Sequence, residues 1–253
     1  GAIVGALSNV LVAHIEGGEV SGTVDELIRH AVSKLSHVHF VANDQARRRL
    51  VQMGEREESI HVIGSPDVDI MLSNKLPSEE EMRNRYDITF KNYALLIFHS
   101  VTTEYSKMNE YVRAVVDSAL ACGDEFVVIS PNNDKGSHFI FNELDRLNDH
   151  PRFRIFPSVR FEYFITMLKN AQFIVGNSSA GVREAPYFGV PCVNIGTRQQ
   201  NRANHKGIYN SGYGQDEITE AIKKAKTTGG ITHQLFGDGK SAVKFISVIS
   251  SSK

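Results

Sequence analysis

Short apolar runs alternate with amphipathic stretches along most of the chain. "VLVAHIEGG" reads as a strand, "TVDELIRHAVSKLS" as a helix opening near Ser21 or Thr23 with Asp25 and Glu26 in its first turn, and "HVHFVAN" as a second strand. A helix over "DQARRRLVQMG", stopped by Gly54, and a strand over "SIHVIGS", stopped by Pro66, continue the series. The polar segment from about Asp67 to Phe90 reads as a connection leading into a surface helix. A second series follows, with strands at "YALLIFHS", "EFVVISP", "FRIFPS", "QFIVGNSS" and "PCVNIGT". Between them lie helices at "KMNEYVRAVVDSALACG", "SHFIFNELDRLN", "RFEYFITMLKNA" and "GVREAPYFG". "DEITEAIKKAKT" and "SAVKFISVISS" predict two closing helices, separated by the Gly-rich loop "TTGGITHQLFGDGK".

This alternation predicts an α/β protein whose parallel sheets are covered by helices. Two Rossmann-like units in series are expected: residues 1–72, with the early strands of their unit missing, and residues 73–238. Residues 239–253 are expected to form a terminal helix that packs back on the first unit. In open parallel sheets ligands gather beyond the carboxyl ends of the strands, so candidate chemistry is sought there.

Composition narrows the function. Of 253 residues, 41% are hydrophobic and 23% charged, the balance of a globular protein rather than a disordered or fibrous one. The 28 basic and 29 acidic residues leave a net charge of −1, spread along the chain, which argues against nucleic acid or an anionic membrane as partner and favours a small molecule. Cys122 and Cys192 lack metal-ligand spacing and read as buried thiols of a reducing compartment, so a cytoplasmic location with no metal and no cofactor is expected. The opening run "GAIVGALSNVLVAHIEGG" has no basic leader and is broken by Gly5, Ser8 and Asn9, unlike a signal peptide or membrane span. It begins in mid-pattern without an initiator Met, as a fragment would.

Five strand ends carry polar clusters. At "GNSSAGVREA", backbone N–H groups and the hydroxyls of Ser178 and Ser179 can face a diphosphate at a helix start, with Gly181 permitting close approach and Glu184 placed for ribose hydroxyls. An ordinary Ser cap followed by a surface Glu has the same spacing. His99 in "LLIFHSVTTE" can donate to a phosphate or sugar as a neutral imidazole or stabilise a leaving diphosphate as a cation, although a lone His more often satisfies a loop carbonyl. "HIEGGEVSGTVDE" gathers Glu16, Glu19 and Asp25 around a Gly-rich turn, where paired carboxylates can serve as acid and base. Asp25 equally suits a helix first turn. "SPNNDKGS" offers Asn132, and "GTRQQNR" offers Arg198 and Arg202, all common loop residues as well as plausible phosphate contacts.

Taken together, "HIEGGEVSGTVDE", "IRHAVSKLSH", "GSPDVDIM", "HSVTTE", "SPNNDKGS" and "GNSSAGVREA…FGVPCVNIGTRQ" resemble the hydrolysing UDP-N-acetylglucosamine 2-epimerases of bacterial sialic acid synthesis and the epimerase half of the animal bifunctional enzyme. The resemblance implies a glycosyltransferase-B type fold of two Rossmann domains, the N-terminal one incomplete here, with the site in the cleft between them. It implies conversion of UDP-N-acetylglucosamine to N-acetylmannosamine and UDP by elimination to a 2-acetamidoglucal and addition of water. Glu16 and Asp25 match the family's acid–base groups and His99 its diphosphate contact. Ser178, Ser179 and Glu184 match its phosphate and ribose contacts, and Arg198 and Asn132 match the family's Arg after the last strand and Asn of the preceding strand end, both expected to bind the nucleotide sugar. Homodimers or homotetramers are expected on the same ground. Relatives commonly carry Pro where this chain has Ser100, which would leave the loop after His99 less rigid.

Non-hydrolysing epimerases of the same fold read His-Arg-Arg-Glu-Asn and Asp-Ser-Gly-Gly where this chain has "HSVTTE" and "NSSAG". UDP-diacetylbacillosamine, GDP-linked N-acetylglucosamine and a non-catalytic nucleotide-sugar module remain as alternatives. The family also carries an acid–base Asp in a His-Gly-Asp segment upstream of "GAIVGAL". The chain alone is therefore expected to bind UDP but to turn over substrate poorly; steady consumption of UDP-N-acetylglucosamine by the purified chain would contradict this.

Overall fold

The computed structural model describes residues 1–203 and 205–251. Packing divides the chain into two compact units, residues 1–75 with 234–253, and residues 76–233. The sequence reading places these divisions after residues 72 and 238.

The first unit holds α1 (Ala2–Leu7), β1 (Ala13–Ile15), α2 (Val24–Lys34), β2 (Val38–Val41), α3 (Asp44–Gln52), β3 (Ile60–Val62) and α4 (Pro66–Met71). Its three strands pair in parallel in the order β1-β2-β3. Asn43 starts α3 by accepting a hydrogen bond from the Ala46 N–H at 2.9 Å, which satisfies a donor the helix cannot. Pro66 stands at the first helical position of α4, where its missing N–H costs nothing, so the strand-stopping residue is also a helix starter. Neither α1 nor α4 is predicted by the periodicity; six residues are too few to reveal a 3.6-residue repeat.

The second unit holds α5 (Glu79–Tyr86), β4 (Ala94–Ile97), α6 (Met108–Ala121), β5 (Phe126–Ile129), α7 (Ser137–Leu144), β6 (Phe153–Phe156), α8 (Phe161–Lys169), β7 (Ile174–Gly176), α9 (Ala180–Arg183), β8 (Cys192–Ile195), β9 (Ile208–Ser211) and α10 (Gln215–Thr228). All six strands are parallel, in the order β6-β5-β4-β7-β8-β9. The chain adds strands outward on one side of β4, then returns to add β7, β8 and β9 on the other, so the β4–β7 pair is the switch point of a Rossmann sheet. Both faces are covered. Leu96 and Phe98 point into a core with Val112, Val116 and Ile222, while Leu95 and Ile97 point into another with Met82, Met167 and Leu168. This is why β4 reads as an unbroken apolar run rather than an alternating one.

Two elements differ from the sequence reading. The helix expected over "GVREAPYFG" is a single α turn, α9, followed by a 3-10 turn at Ala185–Phe188. Pro186 has no N–H to continue the ladder and its ring excludes the carbonyl four residues back. The strand β9 has a half-exposed Ile-Tyr-Asn-Ser pattern at the sheet edge and carries no apolar run to announce it.

The last helix, α11 (Ser241–Ser251), belongs to the first unit. The Asp69 carboxylate accepts from the Ser241 and Ala242 N–H groups, each at 2.9 Å, and Phe245 meets Phe40 edge-on at 4.6 Å. Among the described residues no helix is long and apolar enough to cross a membrane.

Gly176 ends β7 at φ +135°, and a Cβ there would collide with the Ile97 carbonyl. Gly176→Ala is therefore expected to cost about 3 kcal/mol or more in chemical denaturation, since both the dihedral and the strand contact are lost. A loss under about 1 kcal/mol would contradict this.

Candidate active site

In the second unit, four adjacent strands, β5, β4, β7 and β8, end in the polar residues expected to act. His99 lies two positions beyond β4, Ser178 two beyond β7, Asn132 three beyond β5 and Arg198 three beyond β8.

The His99 ring is buried, and its Nδ1 accepts a hydrogen bond from the Asn132 backbone N–H at 3.2 Å. An Nδ1 that accepts is unprotonated, so the proton of the neutral ring sits on Nε2, the only nitrogen left to donate. Burial first, and then the positive charge of Arg198, push the His99 pKa down to about 4. Of the two roles its sequence position allows, neutral donor and cation, the geometry supplies the neutral donor. Asn132 enters through its backbone; its side chain is exposed.

Sequence reasoning overlooked the residue that joins these loops. Asn177 is fully buried between Gly176 and the serines; its Oδ1 accepts from the His99 N–H at 2.7 Å and its Nδ2 donates to the His99 carbonyl at 2.8 Å. Its own carbonyl receives Arg198 Nη1 at 3.3 Å and Gln199 Nε2 at 3.0 Å. The available signal was a polar side chain directly following a buried apolar run.

A second tie involves Glu104, whose carboxylate accepts from Thr197 Oγ1 at 2.8 Å and from the Tyr213 hydroxyl at 2.5 Å, linking the loops after β4, β8 and β9. Ser100 Oγ donates to the Lys135 carbonyl at 2.6 Å. The rigidity expected to be lost without a proline at this position is thus supplied by a hydrogen bond to the neighbouring loop.

Ser178 and Ser179 are half-buried at the start of α9, and Ser178 Oγ accepts from the Ala180 N–H at 3.3 Å. With only four residues, α9 has too few aligned peptides for the helix dipole expected there, so any anion held at this point relies on hydroxyls, single N–H groups and Arg198. Gly181 also differs from its expected role. It is buried, and a Cβ would strike Cys192 Sγ, so the glycine lets α9 lie against β8 instead of admitting phosphate. Glu184 is buried immediately after α9.

The first unit carries the acidic loop. Glu16 adopts the left-handed conformation at φ +63°, while its N–H donates to the Phe40 carbonyl at 2.8 Å. A non-glycine residue there costs about 1 kcal/mol and persists only where its surroundings impose it. The turn that follows is held by arginines: Arg49 donates to the Gly18 carbonyl and Arg29 to the Glu19 carbonyl at 3.1 Å. Glu26 accepts from the Ser21 N–H at 2.6 Å, and the exposed Asp25 accepts from Thr23 Oγ1 at 3.1 Å. His14, three residues before Gly17, meets Ser33 Oγ at 3.0 Å; burial, with His39, Arg29 and His30 nearby, lowers its pKa to about 4.

The strand order and the polar loops at its switch point define an α/β protein of glycosyltransferase-B type. Its fold is similar to that of a UDP-GlcNAc 2-epimerase from Methanocaldococcus jannaschii solved with UDP-GlcNAc and UDP (TM-score 0.83, 20% identity, 100% of this chain and 72% of that one). A sequence model of the UDP-N-acetylglucosamine 2-epimerase family matches residues 1–250, and the chain belongs to that family. It is 52% identical over 229 residues to a UDP-N-acetylglucosamine 2-epimerase of Neisseria meningitidis serogroup B, spanning 90% of this chain and 60% of the relative. It is 36% identical over 236 residues to a hydrolysing UDP-N,N'-diacetylbacillosamine 2-epimerase of Legionella pneumophila (92% and 63%). Identity is 29% over 254 residues to a polysialic acid biosynthesis protein of Escherichia coli (99% and 61%). The chain spans about three fifths of the length of these curated relatives.

His14 and His99 stay neutral in the fold down to about pH 4, whereas an unfolded imidazole takes up its proton near 6.5. Between these values the unfolded chain binds more protons, so stability falls as pH falls, by at most about 1.4 kcal/mol per pH unit for each ring. Thermal unfolding should show a midpoint that drops on acidification through this window and drops less in His99→Gln.

Proposed function

We propose that this protein acts as a hydrolysing 2-epimerase, converting UDP-N-acetylglucosamine to N-acetylmannosamine and UDP for sialic acid synthesis. The observation that carries the reading is His99, a buried neutral Nε2–H donor at the switch point, with Arg198 beside it in electrostatic reach. A sugar diphosphate that leaves as an anion needs a fixed donor and a fixed cation where its charge develops.

In this reading a carboxylate, Glu16 or Asp25, removes the proton from C2 of the sugar. The electrons form the C1–C2 double bond while the C1–O bond breaks and its pair departs with UDP. His99 donates a hydrogen bond to the departing oxygen without transferring its proton, because the ring is already neutral and the N–H of a neutral imidazole is a very weak acid. Arg198 offsets the accumulating charge; Ser178, Ser179 and Asn132 position the diphosphate, and Glu184 the ribose. Water then adds its oxygen to C1, and C2 takes a proton from the opposite face. The Glu16 backbone supports the assignment of that residue, since a non-glycine residue held in the left-handed region is a strain that clusters at functional sites.

A second reading, with UDP-N,N'-diacetylbacillosamine as substrate, is favoured by the Legionella relative. Proton NMR in D2O of each nucleotide sugar with the full gene product separates them. N-acetylmannosamine bearing deuterium at C2 with equimolar UDP supports the first reading, and unchanged UDP-N-acetylglucosamine refutes it. Glu16→Gly should relieve the backbone, leaving stability unchanged or raised by up to about 1 kcal/mol, while turnover falls about 100-fold or more. Retained turnover would remove Glu16 from the mechanism.

A further inference from the structure

His99 and Arg198 leave the sheet from β4 and β8, with β7 between them. Past Gly176 the β7 backbone turns away, yet the ladder to β4 continues by one more rung. The Asn177 N–H donates to the Ile97 carbonyl at 3.1 Å, and its carboxamide then pairs with both backbone groups of His99. The carbonyl of the same residue receives Arg198 and Gln199 from the other side. One residue, with none of its surface exposed, therefore contacts the backbone of the donor and the guanidinium of the cation.

We propose that Asn177 is a positioning residue that holds His99 and Arg198 in one frame facing the departing diphosphate. The proposal rests on the functional reading above for the identity of the anion, but not for the frame. Asparagine suits this position because it presents a donor and an acceptor side by side, as a peptide does. Aspartate keeps the acceptor for the His99 N–H but turns a second oxygen toward the His99 carbonyl, and it adds a buried negative charge beside the imidazole. Serine can satisfy one partner at most, and glutamine is longer by one methylene.

The test uses the whole chain with 15N-labelled histidine, in Asn177→Asp and Asn177→Ser variants. Long-range 15N–1H spectra report the tautomer and titration of His99, assigned with His99→Gln, and calorimetry reports the affinity for UDP. Wild type should show His99 as the Nε2–H tautomer. In the variants that tautomer should give way to a mixture, the Asp variant should titrate at higher pH, and UDP affinity should fall about tenfold. A folded variant with an unchanged His99 spectrum and UDP affinity within about twofold of wild type overturns the proposal. Should both variants fail to fold, the wild-type Asn177 carboxamide protons decide: slow exchange with solvent supports the clamp, and exchange at the rate of an exposed asparagine overturns it. If wild type does not bind UDP, the functional reading falls while the His99 spectra still judge the frame.

Discussion

The polar loops above the second sheet hang from the place where Gly176 lies against the Ile97 carbonyl. No side chain fits there, so β7 can approach β4 closely enough for Asn177 to continue the pairing with its carboxamide. That continuation sets the His99 backbone, the Asn132 N–H sets its ring, and the ring's donor proton is left on Nε2. A packing constraint of a few ångströms is thus converted into a choice of protonation site. Burial then removes the alternative, since a cation here would lose its hydration with Arg198 already nearby.

The two units hold the loops beyond their strands in a similar way. In the first, arginine side chains grip the carbonyls of Gly18 and Glu19; in the second, Asn177, Gln199 and Ser100 side chains grip backbone groups. Irregular backbone that leaves a sheet cannot pair with another strand, and buried N–H and C=O groups without partners are costly. Side chains taking that role let the loops depart from regular geometry, as Glu16 does, without forfeiting their hydrogen bonds.

Much of this architecture was legible because a strand covered on both faces leaves a short apolar run bounded by turn residues, as β4, β5 and β7 do. β9 has an exposed face and was lost. Residues at strand ends could be named for the same reason, since the end of a run marks where the crevice begins. Their connections could not. Asn177 and His99 are 78 positions apart, and only the strand order 6-5-4-7-8-9 makes them neighbours. Gly181 shows the opposite failure: its position suggested ligand access, while the demand for a bare Cα came from Cys192 behind it.

The cap that Asp69 places on α11 bears on how the molecule is made. Residues 76–233 form a continuous unit, whereas the first unit draws on both ends of the chain. During synthesis the unit of residues 76–233 has all its described strands once β9 and α10 emerge, while the unit carrying the acidic loop must wait for α11. The acidic loop's unit therefore gains α11 only after the residues of the other unit have been made, and a chain that stopped before Ser241 would retain the His99 and Arg198 loops but lack the helix that Asp69 anchors.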